Sequence, residues 1–212
     1  MTLGEHPEQV DPKFLVPLDR LDSPELEIGK FRDIGSAAGI ARFNQAGGVT
    51  LADFDNDDRL DVVLSSFDPL LPMAYLRNAG DGTFEDRSSA AGVVGQFGGG
   101  LQCVQADFDN DGFTDVLVVR GAWLQTPVRP SLLRNDGKGA FTDVTVQAGL
   151  DQPLNSNCAA WADFDNDGWL DMFICNESGP CRLYRNPGRG TFENVAPSAG
   201  VAIGEAMWKG AT

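Results

Sequence analysis

The sequence predicts an all-β fold made of β-propeller blades, each a sheet of four antiparallel strands. Three observations support this prediction. The chain of 212 residues contains 25 glycines, which suits many tight turns. Hydrophobic residues make up 42% of the chain, which is enough for a packed core. Finally, two sequence elements recur together three times, as expected for a repeat protein.

The first recurring element is an aspartate-rich loop followed by a short apolar run. Its copies read ADFDNDDRLDVVL at 52–64, ADFDNDGFTDVLV at 106–118 and ADFDNDGWLDMFI at 162–174, so they begin 54 and 56 residues apart. A further apolar stretch precedes each loop. Apolar runs of this length between turn residues indicate buried strands, because they are too short to form helices of their own.

The second element is a hairpin that follows each acidic loop. Its copies read AYLRNAGDGTFEDRSSAAGV at 74–93, SLLRNDGKGAFTDVTVQAGL at 131–150 and RLYRNPGRGTFENVAPSAGV at 182–201. The paired glycines of its N-x-G-x-G turn can supply the positive φ angles that such hairpins need. Each unit therefore contains four short strands, which is the content of one propeller blade.

The repeats also predict how the chain is divided. Complete blades are expected at 47–100, 101–155 and 156–203, with partial blades at 30–46 and 204–212. Residues 1–29 are rich in proline and charge and are expected to form a flexible lead-in. Propellers usually have about four to eight blades. The prediction is thus an incomplete propeller that forms a segment of a longer propeller chain, and closure through the terminal strands or self-association is the alternative.

The acidic loops predict about three Ca²⁺ sites. Aspartates occupy relative positions 1, 3, 5 and 9 of each loop, where converging carboxylates would repel one another without a cation. Ca²⁺ accepts about six to eight oxygen ligands with tolerant geometry, whereas Mg²⁺ rarely accepts an all-protein cage. Position 7 is expected to ligate through its backbone carbonyl. The predicted ligands are Asp53, Asp55, Asp57, Arg59 and Asp61; Asp107, Asp109, Asp111, Phe113 and Asp115; and Asp163, Asp165, Asp167, Trp169 and Asp171.

Position 6 distinguishes the first loop from the others. It is Gly112 in the second loop and Gly168 in the third, but Asp58 in the first. Aspartate tolerates a left-handed backbone less well than glycine, so the first site is expected to be the weakest. Turn propensity is the competing explanation of the loops. It accounts for one or two aspartates, but not for four at the same positions in three loops.

Charge and motif content argue against several functional classes. The chain has 31 acidic and 16 basic side chains, a net charge of −15 that disfavours nucleic acid. No apolar window of about 18 residues is present, so membrane insertion is not expected. The N-terminus lacks the cationic start and apolar run of a signal peptide. With one histidine, no nucleophile elbow and no P-loop, the chain is predicted not to be an enzyme.

Three other sets of residues have structural interpretations. Cys175 and Cys181 flank a Gly/Pro turn, so a disulfide and two free buried thiols are both open alternatives. Arginines that recur before each hairpin are expected to brace strands or carboxylates. Phenylalanines between the predicted ligands are expected to anchor the core. These residues are Arg77, Arg134 and Arg185, and Phe54, Phe108 and Phe164.

The acidic loops resemble the D-x-D-x-D-G-x-x-D calcium loop of the FG-GAP/VCBS repeat family. The second element, with its RN-x-G-x-G-x-F pattern and following A-G-(L/V), resembles the subgroup associated with ASPIC/UnbV domains. The similar region runs from about Phe31 to the C-terminus. The resemblance implies a β-propeller with calcium loops between its strands and an adhesive or scaffold role. It also implies an extracellular, cell-surface or periplasmic location.

The function predicted from these features is a non-catalytic, calcium-stabilised scaffold that binds a protein or glycan ligand. Because similar repeats are attached to some polysaccharide- or phospholipid-cleaving activities, a propeller segment of a carbohydrate- or lipid-active enzyme is the alternative. A calcium sensor is a third possibility, which would require a bistable element.

Overall fold

The computed structural model describes residues 31–42, 47–122 and 126–202. The chain divides into two compact units, Met1–Ile34 and Gly35–Thr212, and the strands among the described residues lie in the second. The lead-in predicted at 1–29 and the partial blade predicted at 204–212 lie outside the described residues.

Twelve strands in the described ranges form three antiparallel sheets of four strands, and no α-helix occurs in those ranges. The first blade orders its strands β1-β2-β3-β4, and the second and third blades repeat this order with β5–β8 and β9–β12. The predicted all-β fold of four-stranded antiparallel blades is therefore confirmed. The strands are β1 Val49–Ala52, β2 Asp61–Leu64, β3 Ala74–Asn78, β4 Phe84–Asp86, β5 Gly100–Ala106, β6 Asp115–Arg120, β7 Ser131–Asn135, β8 Phe141–Asp143, β9 Ser156–Ala162, β10 Asp171–Asn176, β11 Arg182–Arg185 and β12 Glu193–Asn194.

The described part of the chain contains no helix with the length and apolar character needed to cross a membrane.

Strand β6 contributes to two hydrophobic cores. All six of its residues are buried. Val116 and Val118 pack between the first and second blades, whereas Leu117 and Val119 pack between the second and third. Successive side chains of a strand point to opposite faces of the sheet. The continuous apolar run of this strand is therefore what a blade buried on both faces requires.

Aromatic rings from consecutive blades meet at the blade interfaces. The ring centroids of Phe54 and Phe141 are 5.4 Å apart, and those of Phe108 and Phe192 are 6.0 Å apart. Phe54 and Phe108 are buried core anchors, as predicted. Phe164 was predicted to be one as well, but its side chain is 44% exposed. The difference arises because a following blade covers the first two rings, whereas no sheet follows the third blade in the described ranges.

The start of each blade's last strand is bonded to the A-G segment of the preceding repeat. In each case a phenylalanine N–H donates to an alanine carbonyl at 2.9 Å. The first of these bonds uses Ala38, so the turn at 35–39 contacts the first blade in the way that later repeats contact the next one. The three bonds are Phe84 to Ala38, Phe141 to Ala91 and Phe192 to Ala148.

Candidate metal centres

The aspartate at position 1 holds each acidic loop in a tight turn. In the first loop, Asp53 accepts the backbone N–H of Asp57 on Oδ1 at 3.0 Å and that of Asp58 on Oδ2 at 2.8 Å. Both bonds recur in the other loops at 2.9–3.1 Å, from Asp111 and Gly112 to Asp107 and from Asp167 and Gly168 to Asp163.

Positions 4 and 6 of each loop take the left-handed backbone conformation. The asparagines at position 4 have φ between 55° and 59°, a conformation that asparagine tolerates well in tight turns. Gly112 and Gly168 have φ of 89° at position 6, and Asp58 has φ of 64°. A left-handed conformation costs an L-residue about 1–2 kcal/mol. Because Asp58 carries this strain, the first loop is still expected to be the weakest site.

The aspartate at position 9 ties the loop to the third strand of its blade. Asp115 is 1% exposed, and its two carboxylate oxygens accept the N–H groups of Phe108 at 3.2 Å and Asn135 at 2.8 Å. Equivalent bonds are made by Asp61 and Asp171 at 2.7–3.3 Å. Asp61 also accepts a 2.7 Å hydrogen bond from the Tyr75 hydroxyl. Position 9 is thus a buried acceptor for backbone donors on both sides of the loop.

Three groups of three aspartates in the described residues bring carboxylate oxygens within 4.8 Å of one another. Positions 1 and 3 belong to the group in every loop. Position 5 completes the group in the first loop, and position 9 completes it in the second and third. Asp61, Asp111 and Asp167 do not belong to these groups at a distance of 4.8 Å. The groups are Asp53, Asp55 and Asp57; Asp107, Asp109 and Asp115; and Asp163, Asp165 and Asp171.

A single arginine forks across positions 3 and 5 of each loop, so the predicted bracing of carboxylates is confirmed. Arg134 donates from Nε to Oδ2 of Asp109 at 2.5 Å and from Nη2 to Oδ2 of Asp111 at 2.7 Å. Arg185 bonds Asp165 and Asp167 in the same way at 2.7 and 3.2 Å. The first loop repeats the fork with Arg77 on Asp55 and Asp57.

The carboxylate oxygens that the arginines do not contact fit a cation. Each fork uses Oδ2, and Oδ1 of Asp55 and of Asp109 is buried without a hydrogen-bond partner. An unpaired buried carboxylate oxygen is unfavourable, and a hard cation is the natural partner for a cluster of such oxygens. The donor set therefore fits Ca²⁺ held by the aspartates of each loop.

Burial raises the pKa of the position-9 carboxyls. For Asp115, desolvation is the largest cause, and the nearby charges of Asp109 and Asp111 add to it. Backbone hydrogen bonds from Asn135 and Phe108 act in the opposite direction, and the pKa reaches about 7. Burial also raises the pKa of Asp61 and Asp171. A metal ion bound by Asp115 would therefore have to displace a proton from it at pH values below its pKa.

The metal-free chain is expected to become more stable as the pH falls from about 7.5 to about 5. The pKa of Asp115 is about 7 in the folded chain against an ordinary value of 3.8. Between these values the folded state binds more protons, so the free energy of unfolding decreases as pH rises. Calcium should reverse the trend if it is held by the ionised carboxylates, as predicted. Melting temperatures at the two pH values test the direction of the pH dependence both with and without calcium.

The Asp115→Asn variant is the control for this pH dependence. It removes the carboxyl group whose pKa is raised to about 7, so the dependence of metal-free stability on pH should become weaker. The carboxyls of Asp81 and Asp86 have lowered pKa values. Their contribution to stability changes only below about pH 4, outside the range from about pH 7.5 to about pH 5. A metal-free melting temperature that falls on acidification within this window would contradict the assignment of a raised pKa.

The side chain at position 7 packs on the first glycine of the hairpin turn. A Cβ atom on Gly137 would lie 2.3 Å from the Phe113 ring, and one on Gly188 would lie 2.4 Å from the Trp169 ring. In the first loop, the Arg59 side chain lies near Gly80. The backbone N–H of position 7 also donates to the position-5 carboxylate at 3.0–3.1 Å. Ligation by its carbonyl stays a prediction.

We expect Gly188→Ala to destabilise the third blade more than Gly190→Ala does. Both glycines have positive φ, 69° and 74°, so both variants carry a similar backbone strain. Space around Gly190 is open, whereas alanine at 188 must displace the Trp169 ring. Overpacking of this kind costs about 1–3 kcal/mol. Thermal melting measures the difference, and a shift in tryptophan emission should accompany Gly188→Ala alone. Equal destabilisation by the two variants would contradict the predicted contact.

Three buried cysteines lie together at one end of the third blade. Cys158, Cys175 and Cys181 are free thiols that pack with Phe173. A disulfide and two free thiols were the alternatives for Cys175 and Cys181, and in the structure they are free thiols. Sequence spacing did not predict that Cys158 joins them. It does so because the pairing of β9 with β10 places it opposite Cys175.

The asparagine of the recurring R-N pair is a further residue that the sequence analysis did not identify. Asn135 and Asn186 are each 2% exposed, and their backbone N–H groups bond the position-9 aspartates. The available signal was the repetition of the pair itself. The structural role of this asparagine depends on contacts between blades, which the spacing of residues in the sequence does not show.

Comparison with curated proteins places the chain beside cartilage acidic protein 1. It is 30% identical over 183 residues to the protein of Homo sapiens, covering 83% of this chain and 27% of the relative. Identity to the Xenopus tropicalis protein is 31% over 182 residues, covering 84% of this chain and 26% of the relative. The chain thus spans about a quarter of the length of these relatives.

A solved lectin structure and a repeat family also match. The Agrocybe aegerita lectin, described as recognising non-reducing terminal N-acetylglucosamine, has a TM-score of 0.39 and 20% identity. The match covers 68% of this chain and 36% of the lectin. The FG-GAP-like repeat matches residues 72–118, 122–174 and 163–211. These three matches cover most of the described blades, and the chain belongs to the FG-GAP-like repeat family.

Proposed function

We propose that this chain is a non-catalytic scaffold, stabilised by one Ca²⁺ in each blade, that presents its surface to a protein or glycan ligand outside the cell. The observation that carries the calcium part is the clustering of three carboxylates in every loop. Two of these clusters contain a buried carboxylate oxygen with no hydrogen-bond partner. Water and the carbonyl at position 7 would complete the shell of oxygens that Ca²⁺ prefers.

The repetition of the acidic groups supports a structural role for them. Aspartates at the same four positions and the same arginine fork occur in all three blades. An active site normally combines groups that occur once, in a cleft where their pKa values are matched to the reaction. Here the raised pKa of each position-9 carboxyl has the same cause in every blade, which is burial beneath its own loop. A repeated metal site explains this pattern without catalysis.

The curated relatives support the extracellular part of the proposal. Their name associates them with cartilage, a tissue that consists largely of extracellular matrix. Because the chain spans 27% of the human relative, we place it within a longer protein of similar kind. We propose that the rest of such a protein contributes further blades and part of the ligand surface.

The stoichiometry of calcium binding tests the proposal directly. Calorimetric titration of the full chain should find three Ca²⁺ per chain, with the first loop binding most weakly. Asp109→Asn should remove one site. Asp151→Asn makes the same change of charge at an exposed position outside the loops, and it should leave three sites. A folded chain that binds no calcium would refute the proposal.

Ligand and activity screens separate the remaining alternatives. Binding on a glycan array would identify a glycan ligand, and a clean array would favour a protein ligand. Hydrolysis of a polysaccharide or a phospholipid by the calcium-loaded chain would instead support the enzyme alternative. In that case, activity should be lost on substitution of a residue that occurs once, and not on loss of any one loop.

A further inference from the structure

We propose that the three calcium loops are coupled, so that calcium bound in one blade strengthens binding in the next through a buried chain of hydrogen bonds. This inference rests on the proposed calcium function and adds a property to it. Each step of this hydrogen-bond network, from one blade to the next, uses three residues. They are the position-9 aspartate, the phenylalanine at position 2, and the asparagine that follows the fork arginine.

The first link in each step lies inside one loop. The carboxylate at position 9 accepts the backbone N–H of the phenylalanine at position 2, at 3.3 Å in the first loop, 3.2 Å in the second and 3.1 Å in the third. That phenylalanine lies between the aspartates at positions 1 and 3, and its N–H and C=O belong to the two peptide groups that join it to them. An ion that fixes both carboxylates therefore restricts the orientation of both peptide groups.

The second link crosses from one blade to the next. The carbonyl of Phe54 accepts the side-chain amide of Asn135 at 2.9 Å. The carbonyl of Phe108 accepts the amide of Asn186 at 2.8 Å. These bonds join residues 81 and 78 positions apart in the sequence. The first and second loops are thus each contacted by an asparagine that belongs to the following blade.

The third link returns to a predicted metal ligand. The backbone N–H of Asn135 donates to Oδ1 of Asp115 at 2.8 Å, and that of Asn186 donates to Oδ1 of Asp171 at 2.7 Å. The side-chain oxygen of each asparagine accepts a hairpin N–H, from Gly137 at 3.2 Å or Gly188 at 3.1 Å. This last bond turns the amide nitrogen toward the preceding blade.

Burial makes these links effective. Asp115, Phe108, Asn186 and Asp171 are each between 1% and 4% exposed. In such an environment hydrogen bonds are stronger than in water, and leaving one unmade is unfavourable. An ion that orders one loop also orders the peptide and the asparagine that the next loop uses. The second ion then has less disorder to remove, which is positive coupling.

The first blade provides a natural control. Asn78 has the same position in its repeat, and its N–H donates to Asp61. Its oxygen also accepts the hairpin N–H of Gly80. Its amide, however, bonds the Leu60 carbonyl of its own blade at 3.1 Å and no other described loop. Substitution of Asn78 therefore reproduces the local loss without breaking a link between blades.

Glycine amide signals can report each site separately. Gly112 and Gly168 donate N–H groups to the position-1 aspartates of the second and third loops at 2.9 and 3.0 Å. In the full chain labelled with ¹⁵N-glycine, the Gly168 signal during calcium titration gives the affinity of the third loop. The second loop is disabled with Asp109→Asn and Asp111→Asn together, and the first with Asp55→Asn and Asp57→Asn as a more distant control.

Disabling the second loop should weaken calcium binding at the third by about fivefold or more, the usual scale of coupling between sites. Disabling the first loop should have a smaller effect on the third. In the Asn186→Ser background, most of the shift caused by disabling the second loop should disappear. Asn78→Ser should leave the shift intact. The direct 3.1 Å bond from the Asn110 amide to the Gly168 carbonyl is expected to preserve a small residual shift.

Two results would overturn the coupling and leave the proposed function standing. One is a third-loop affinity that does not change when the second loop is disabled. The other is the same shift with and without Asn186. The first result does not require the Asn186→Ser variant to fold. A folded chain whose glycine signals do not respond to calcium would overturn both the coupling and the proposed function.

Discussion

Removal of calcium is expected to lower the melting temperature of this chain by about 15–30 °C. An ion present at about 100 times its Kd adds about 2.7 kcal/mol of stability, so three sites occupied at that level add about 8 kcal/mol. For a chain of this size, each kcal/mol corresponds to about 2–4 °C. The physical reason lies in the loops, where clustered carboxylates repel one another once the ion is gone. Calorimetric melting in excess calcium and after chelation measures the change.

Magnesium provides the specificity control for this result. Mg²⁺ requires nearly octahedral geometry and retains water, so it should restore only a small part of the lost stability. The Asp151→Asn variant should respond to calcium as the parent does, because that aspartate lies outside the acidic loops. Equal melting temperatures with and without calcium would mean that the arginine forks alone neutralise the loops.

The second large effect is expected at Asp115, where two substitutions should behave differently. Asp115→Ala leaves the buried N–H groups of Phe108 and Asn135 without an acceptor. Each unsatisfied donor costs about 1–3 kcal/mol, so this variant should lose about 2–6 kcal/mol even without calcium. Asp115→Asn keeps one side-chain oxygen as an acceptor, and its NH2 group leaves the second buried N–H without one. It should therefore lose about 1–3 kcal/mol in the metal-free state, roughly half of the loss in Asp115→Ala.

Calcium should distinguish the role of Asp115 as a structural hydrogen-bond acceptor from its predicted role as a metal ligand. Asp115→Asn loses a charged ligand, so calcium should stabilise it by roughly one site less than it stabilises the parent, or about 2–3 kcal/mol. Denaturant unfolding of the parent and both variants, each with and without calcium, provides the comparison. If Asp115→Asn gained as much stability from calcium as the parent does, Asp115 would be a structural acceptor and not a ligand.

Short-range features of this protein were predictable because they depend on neighbours in sequence. The strands on either side of each acidic loop follow from apolar runs between turn residues, and the structure has them as β1 and β2, β5 and β6, and β9 and β10. The conformation of the loops was predictable for the same reason. Their left-handed positions are occupied by Asn and Gly, except at Asp58, which adopts the strained conformation despite its side chain.

Contacts between blades were not predictable from the sequence pattern. The repeats made the phenylalanines at position 2 look equivalent, yet Phe54 is fully buried and Phe164 is 44% exposed. The bonds from Asn135 and Asn186 to a preceding loop were missed in the same way. Repetition shows that a residue type recurs at a position. It does not show which neighbouring blade that residue meets.

By itself, the sequence determined the all-β class, the four strands of each blade and the spacing of the acidic residues in the loops. These properties follow from local periodicity, turn chemistry and the distances between residues along the chain. Only the tertiary structure decided which three carboxylates of each loop converge and which oxygens the arginines leave free. It also decided which cysteines meet and how the loops are connected. Those features depend on packing between strands and blades, where residues that are far apart in sequence share one buried environment.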